Sequence, residues 1–129
     1  MLSNLSPRLQ EALERDDLEF KRAVMTTIRC LPDCPEFSGW RTQGEILAVS
    51  WQGKEVYPSF QFDDQQQPLP VIADLLNILR HGGNRTEWQN LAWFVSANGW
   101  LGGPSPYECL SDPARVLRAA EMEAMPEEY

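Results

Sequence analysis

Three cysteines and one histidine are the side chains whose spacing tests most directly for metal or thiol chemistry. Cys30 and Cys34 are separated by Leu31, Pro32 and Asp33. That spacing is neither a redox C-x-x-C pair nor half of a zinc site with a second half elsewhere in the chain. Cys109 sits beside Leu110 in a short apolar stretch, with no histidine or cluster of positive charge nearby in sequence to lower its pKa, so it reads as a structural cysteine. His81 is the only histidine and precedes Gly82-Gly83, a helix stop, which excludes a histidine-rich metal site. Carboxylates are paired at Asp16-Asp17, Asp63-Asp64 and Glu127-Glu128, all in polar turns or the tail, where water leaves them untuned for proton transfer. G-x-S-x-G and phosphate-cradling glycine loops are missing. The reading is of a protein without catalytic residues, cofactor or metal.

Charge and aromatic content narrow the classes that remain. The chain has 129 residues, with 19 acids against 11 bases for a net charge of −8. The excess is concentrated after residue 85, where seven acids face two bases. An acidic chain does not attract phosphate backbones, so nucleic-acid binding starts at a disadvantage. A winged helix would set Arg22, Arg29 and Arg41 ahead of a hairpin and Lys54 at its tip. Four bases make a thin footprint in a region that also holds eight acids. The longest apolar runs fall well short of the roughly 20 residues that span a bilayer. No basic segment followed by an apolar one opens the chain, and the cysteine count is odd, which together favour the cytoplasm. Five tryptophans are hard to hide completely in a chain of this size. Some aromatic surface should therefore meet a partner, which makes a protein-interaction module the leading class.

The elements that must position these residues can be read from periodicity and punctuation. Residues 7–29 read as helix, with Pro7 after Ser6 as its start and Asp16 as a second cap. Residues 31–44, with two prolines and two glycines, read as a loop. Residues 46–51 and 54–62 read as a hairpin about Gln52-Gly53, with Pro58 either confining its strand to an edge or ending it. Val71, Leu75, Ile78 and Leu79 then recur at helical spacing. Thr86 caps a helix carrying Trp88, Leu91, Ala92 and Val95. Ser105-Pro106 opens a short helix to Leu110, and Asp112-Pro113 opens the last, with Val116, Leu117 and Ala120 inward. Residues 121–129 read as an acidic, fraying tail. The expected fold is mainly α with one β-hairpin: N-terminal helices and loop (residues 1–45), then a hairpin and a compact bundle of about four helices (residues 46–129).

Two runs carry a resemblance. The run from Ile46 to Asp63 contains Pro58, Phe60, Gln61 and Phe62, matching a P-x-F-Q-F pattern. The run from Trp93 to Leu110 contains Leu101, Gly103, Pro106 and Leu110, matching L-x-G-x-x-P-x-x-L-L, with Cys109 at a usual leucine and Gly102 beside the motif glycine. In this order, and followed by Asp112-Pro113 and an alanine-rich helix, they resemble bacterial antitoxins of the Xre/MbcA/ParS type over about residues 45–122. The resemblance implies a helical domain that binds a RES-domain toxin, an NAD-consuming enzyme, and blocks its active site. Many members of this type also carry an N-terminal helix-turn-helix that represses their own operon and supports dimerisation. Residues 1–45 depart from that part, having one long helical pattern and then a Pro/Cys loop, which counts against DNA binding and leaves homodimerisation open.

The expectation is thus an antitoxin-like protein with a cognate toxin as partner. The alternatives are a DNA-binding regulator with a hairpin wing, or a stand-alone adaptor. Expected partner-binding residues are Trp93, Trp100, Leu101 and Tyr107, with Glu121, Glu123, Glu127 and Glu128 as anions for arginines that would line an NAD pyrophosphate site.

Overall fold

The computed structural model describes residues 18–81 and 85–124. In chain order these form helix α1 (Leu18–Thr27), strand β1 (Cys30–Pro32), helix α2 (Pro35–Thr42), strands β2 (Val49–Trp51) and β3 (Lys54–Pro58), then helices α3 (Pro70–His81), α4 (Glu87–Val95) and α5 (Pro113–Ala124). Single turns of 3-10 helix occupy Ser59–Gln61, Gly99–Leu101 and Pro106–Cys109. The molecule is a mostly helical α+β fold, as expected. The expected short helix after Ser105 is the last of these 3-10 turns. Helix α1 accounts for the end of the predicted 7–29 stretch, while Pro7 and the Asp16 cap lie outside the described residues.

The stretch 31–44 corrects the loop reading. Pro35 stands at the first turn of α2, where its missing N–H costs nothing, and Cys34 precedes it in extended backbone. Phe37 on this helix is buried, so tertiary packing makes a helix of a segment rich in proline and glycine. Just before it, β1 pairs antiparallel with β3, aligning Leu31 with Tyr57 and Cys30 with Pro58. The hairpin is therefore part of a three-stranded sheet in the order β1-β3-β2. Pro58 ends β3, and that strand is central rather than at the edge. Gln52 and Gly53 both take positive φ, 54° and 78°, as a type I′ turn between strands requires.

Alternation along the strands gives the sheet two different faces. Val49, Val56 and Cys30 face the main core, built on Ile72, Leu75, Leu76 and Leu79 of α3, Leu91 and Phe94 of α4, and Val116, Ala119 and Ala120 of α5. Tyr57 and Leu31 face a second, smaller core with Phe37, Ile46, Ala48, Trp40 and Phe62. Phe37 stacks on Phe62 with centroids 4.8 Å apart and meets Tyr57 at the same distance. Helix α3 is the central rod, and its i, i+4, i+8 row of Val71, Leu75 and Leu79 is buried as the periodicity predicts. Thr86 caps α4 in a reciprocal box with Gln89, the two N–H···O bonds measuring 3.1 and 2.7 Å.

Residues 46–48, expected in the first strand, lie ahead of it as irregular backbone that is fully buried. Buried backbone needs partners. The Gln61 side chain supplies them: its Oε1 accepts from the Leu47 N–H at 2.7 Å and its Nε2 donates to the Leu47 carbonyl at 2.8 Å. Gln61 lies in a 3-10 turn rather than a strand. Replacing it as Gln61→Leu strands both groups, and urea unfolding should show a loss of about 2–4 kcal/mol. A loss close to zero would mean that the Leu47 backbone finds other partners.

Candidate functional site

The two sequence motifs meet in space. Pro58 ends the central strand, and the following 3-10 turn swings Phe60 toward the helices. There its ring lies 5.4 Å from Tyr107, just after the motif proline Pro106, and 5.2 Å from Phe94 of α4. Pro106 itself is buried and Leu110 is partly buried. Ser105 joins this 3-10 turn to α4, its hydroxyl donating to the Val95 carbonyl at 3.1 Å. Its N–H donates to Glu108 Oε1 at 2.9 Å. The motif residues are thus mostly the joint between sheet and bundle.

Between α4 and that joint stands a turn that displays a tryptophan. The Asn98 side chain accepts from the Trp100 N–H at 2.8 Å. Asn98 and Gly103 bridge through their backbones, and the Leu101 N–H donates to the Asn98 carbonyl at 3.1 Å. Gly102 and Gly103 have φ of +81° and +121°. A side chain there would have open space but a strained backbone, so conformation alone explains the glycine pair. From α5, Arg115 donates to the Leu101 carbonyl at 2.8 Å. Leu101 is turned inward and Trp100 outward, with 54% of its surface exposed. Among the described residues only Leu18 is a large apolar side chain as open.

The expected partner-binding residues therefore separate. Trp100 is exposed, Tyr107 half-buried and Glu121 exposed. Trp93 is core, edge-on to Phe94 at 5.1 Å, and its indole N–H has no acceptor among the described residues. Leu101 is buried. Glu123 is the clearest departure from the solvated-tail reading: helix α5 continues through it, and it is buried against Arg85. Glu127 and Glu128 lie outside the described residues.

That ion pair belongs to a polar chain that sequence reading missed. Arg85 donates to Glu123 Oε2 at 2.9 Å, to Asn90 Oδ1 at 2.9 Å and to the Gln89 carbonyl at 3.3 Å. Asn90 donates in turn to Glu87 Oε1 at 3.1 Å. The other Glu87 oxygen accepts from Arg80 at 2.8 Å, and Arg80 reaches the Gly44 carbonyl at 3.3 Å. The one local hint was Asn90, a polar residue inside the apolar face of α4.

Cys30, Cys34 and Cys109 are free, and no cluster of metal-ligating side chains occurs among the described residues. Asp63 serves its own loop, its Oδ1 accepting from the Gln65 and Gln67 N–H groups at 2.9 Å each. Tyr57 is a core phenol whose pKa is raised, first by burial and then by its hydrogen bond to Asp33. No helix among the described residues is long and apolar enough to cross a membrane.

The fold and these contacts define an α+β domain whose motif residues build a joint and a hydrogen-bonded, tryptophan-bearing turn. Compared with family models, curated proteins and solved structures, the chain matches none.

Burial pushes the Cys30 thiol up to about 11. At pH 8 about one molecule in a thousand then carries the reactive thiolate. Iodoacetamide should label Cys30 slowly at pH 8 and roughly tenfold faster per pH unit until about pH 11, as read by peptide mass spectrometry. Rapid labelling at pH 7 would contradict its half-buried setting.

Proposed function

We propose that this chain is an antitoxin-like protein that binds a RES-type, NAD-consuming toxin in the cytoplasm and neutralises it by occluding the active site. The observation that carries the reading is Trp100. An exposed tryptophan on a frayed loop would be unremarkable, but here the turn is held by the Asn98 cap, its bridge to Gly103 and Arg115. Holding a large apolar side chain in water does nothing for folding. It lowers the ordering cost of binding, and tryptophan is the residue type most enriched at binding hot spots. The motif resemblance supplies the partner class, and the excess of acid after residue 85 suits a basic surface. Glu121, Glu127 and Glu128 are the acids offered to such a surface. Glu123 is withdrawn from that set, because Arg85 takes its carboxylate.

The testing experiment is a pull-down of tagged protein from its native host, followed by co-expression of any captured protein. The expected capture is a stoichiometric basic protein that depletes NAD when expressed alone and is silenced by this chain. Capture of the chain's own promoter fragment, with no protein, would replace the reading with the regulator. Trp100→Ala should leave urea stability within about 0.5 kcal/mol, as for an exposed site, while weakening the complex by 2 kcal/mol or more, about thirtyfold. Undiminished affinity in this variant would remove Trp100 from the interface.

A further inference from the structure

We infer that the buried Arg85–Glu123 pair is a register lock for helix α5, and that through α5 it sets where Trp100 stands. The two side chains are 5% and 0% exposed. Removing two charges this completely from water carries a desolvation penalty that their attraction repays only in good geometry, and apolar replacements of similar volume are often as stable or more so. Net stability is therefore a poor account of the pair. Specifying one arrangement among near-equivalents is a better one, and α5 needs such a device. Its fully buried apolar residues are Val116, Ala119 and Ala120, packed along the aliphatic row of α3, with Leu117 partly buried at the margin. Small alanines against leucines discriminate weakly between this seating and one displaced along the axis.

A directional bond near the end of the helix removes the ambiguity. Glu123 can meet Arg85 only at one axial position, because Arg85 is itself held by Asn90 and by the Gln89 carbonyl at the start of α4. Eight residues earlier, about 12 Å along the same helix, Arg115 grips the Leu101 carbonyl inside the Trp100 turn. A rigid helix thus joins a buried polar clamp to an exposed anchor. Arg85 and Glu123 are positioning residues in this scheme. The seating stands on geometry alone, while its bearing on partner binding rests on the reading of Trp100 given above.

The test uses the full chain without any partner. Indole N–H resonances are assigned by comparison with Trp100→Phe, and amide exchange is followed through residues 116–124. The double variant R85M/E123L removes both charges and keeps apolar bulk. Its melting temperature should stay within about 4 °C of the parent. The Trp100 indole resonance should nonetheless shift or split, and amides of the last turns of α5 should exchange faster. R115M breaks the other end of the strut and should shift the same Trp100 resonance while leaving exchange near Glu123 unchanged. A double variant with the parent Trp100 resonance and exchange pattern overturns the lock. So does one that fails to fold, because the pair would then be a source of stability. The weaker affinity expected of the double variant for a captured toxin is read separately, so an absent toxin leaves the lock standing.

Discussion

The segment Ile46–Ala48 crosses the interior without belonging to a strand, and the Gln61 amide is what makes that passage tolerable. Ile46 and Ala48 point into the smaller core, while Leu47 and Val49 point into the larger one. A chain threaded between two apolar clusters has no water for its peptide groups. One side chain answers both the N–H and the C=O of Leu47. An amide is suited to this because it offers a donor and an acceptor side by side; a carboxylate offers acceptors only. The Gln61 backbone carbonyl also receives the Leu69 N–H at 2.9 Å, which ties the entry of α3 to the same point. Sheet, inner segment and central helix are thus referenced to one residue.

Two layers follow from that junction. The three-stranded sheet is covered on one face by the bundle and on the other by α2 with its aromatic cluster. Short strands suffice because neither face carries the fold alone: α3 and α5 pack along their length, and the sheet contributes Val49 and Val56 to that core. Sequence on either side of residue 45 contributes, since β1 precedes it and pairs with β3, which follows it. The half-exposed Arg41–Glu55 ion pair joins α2 to the sheet and adds little beside this burial.

Much of this was legible where a local rule and the tertiary structure agree. Val71, Leu75 and Leu79 fall on one stripe whatever surrounds them, Thr86 caps α4 by its own chemistry, and Gln52-Gly53 turns the hairpin. Elements were missed where only distant contacts decide. Cys30–Pro32 becomes a strand because β3 offers it an edge, and Pro35–Thr42 becomes a helix because Phe37 has Tyr57 and Phe62 to bury against. The site follows the same division. Trp93 and Trp100 were read alike as surplus aromatic surface, and only Trp100 is exposed. Trp93, in the same stretch, has identical chemistry and no local mark of being core. Glu123 looked like its neighbours in an acidic tail because its partner, Arg85, is 38 residues away.

The buried polar side chains among the described residues serve the fold. Catalytic sites gather strained or strongly perturbed groups in a cleft, where each is aimed at substrate. Among the described residues, Gln61 is aimed at Leu47, Asn90 and Glu123 at Arg85, and the Asn98 side-chain oxygen at Trp100. The two groups moved furthest by burial, Cys30 and Tyr57, are pushed toward their neutral and less reactive forms. Internal polar chemistry is committed to holding loops and helix ends in place. What the turn bridged by Asn98 and Gly103 presents to the outside is an indole ring. An exposed ring of this kind would gain binding energy from area removed from water and from being already ordered.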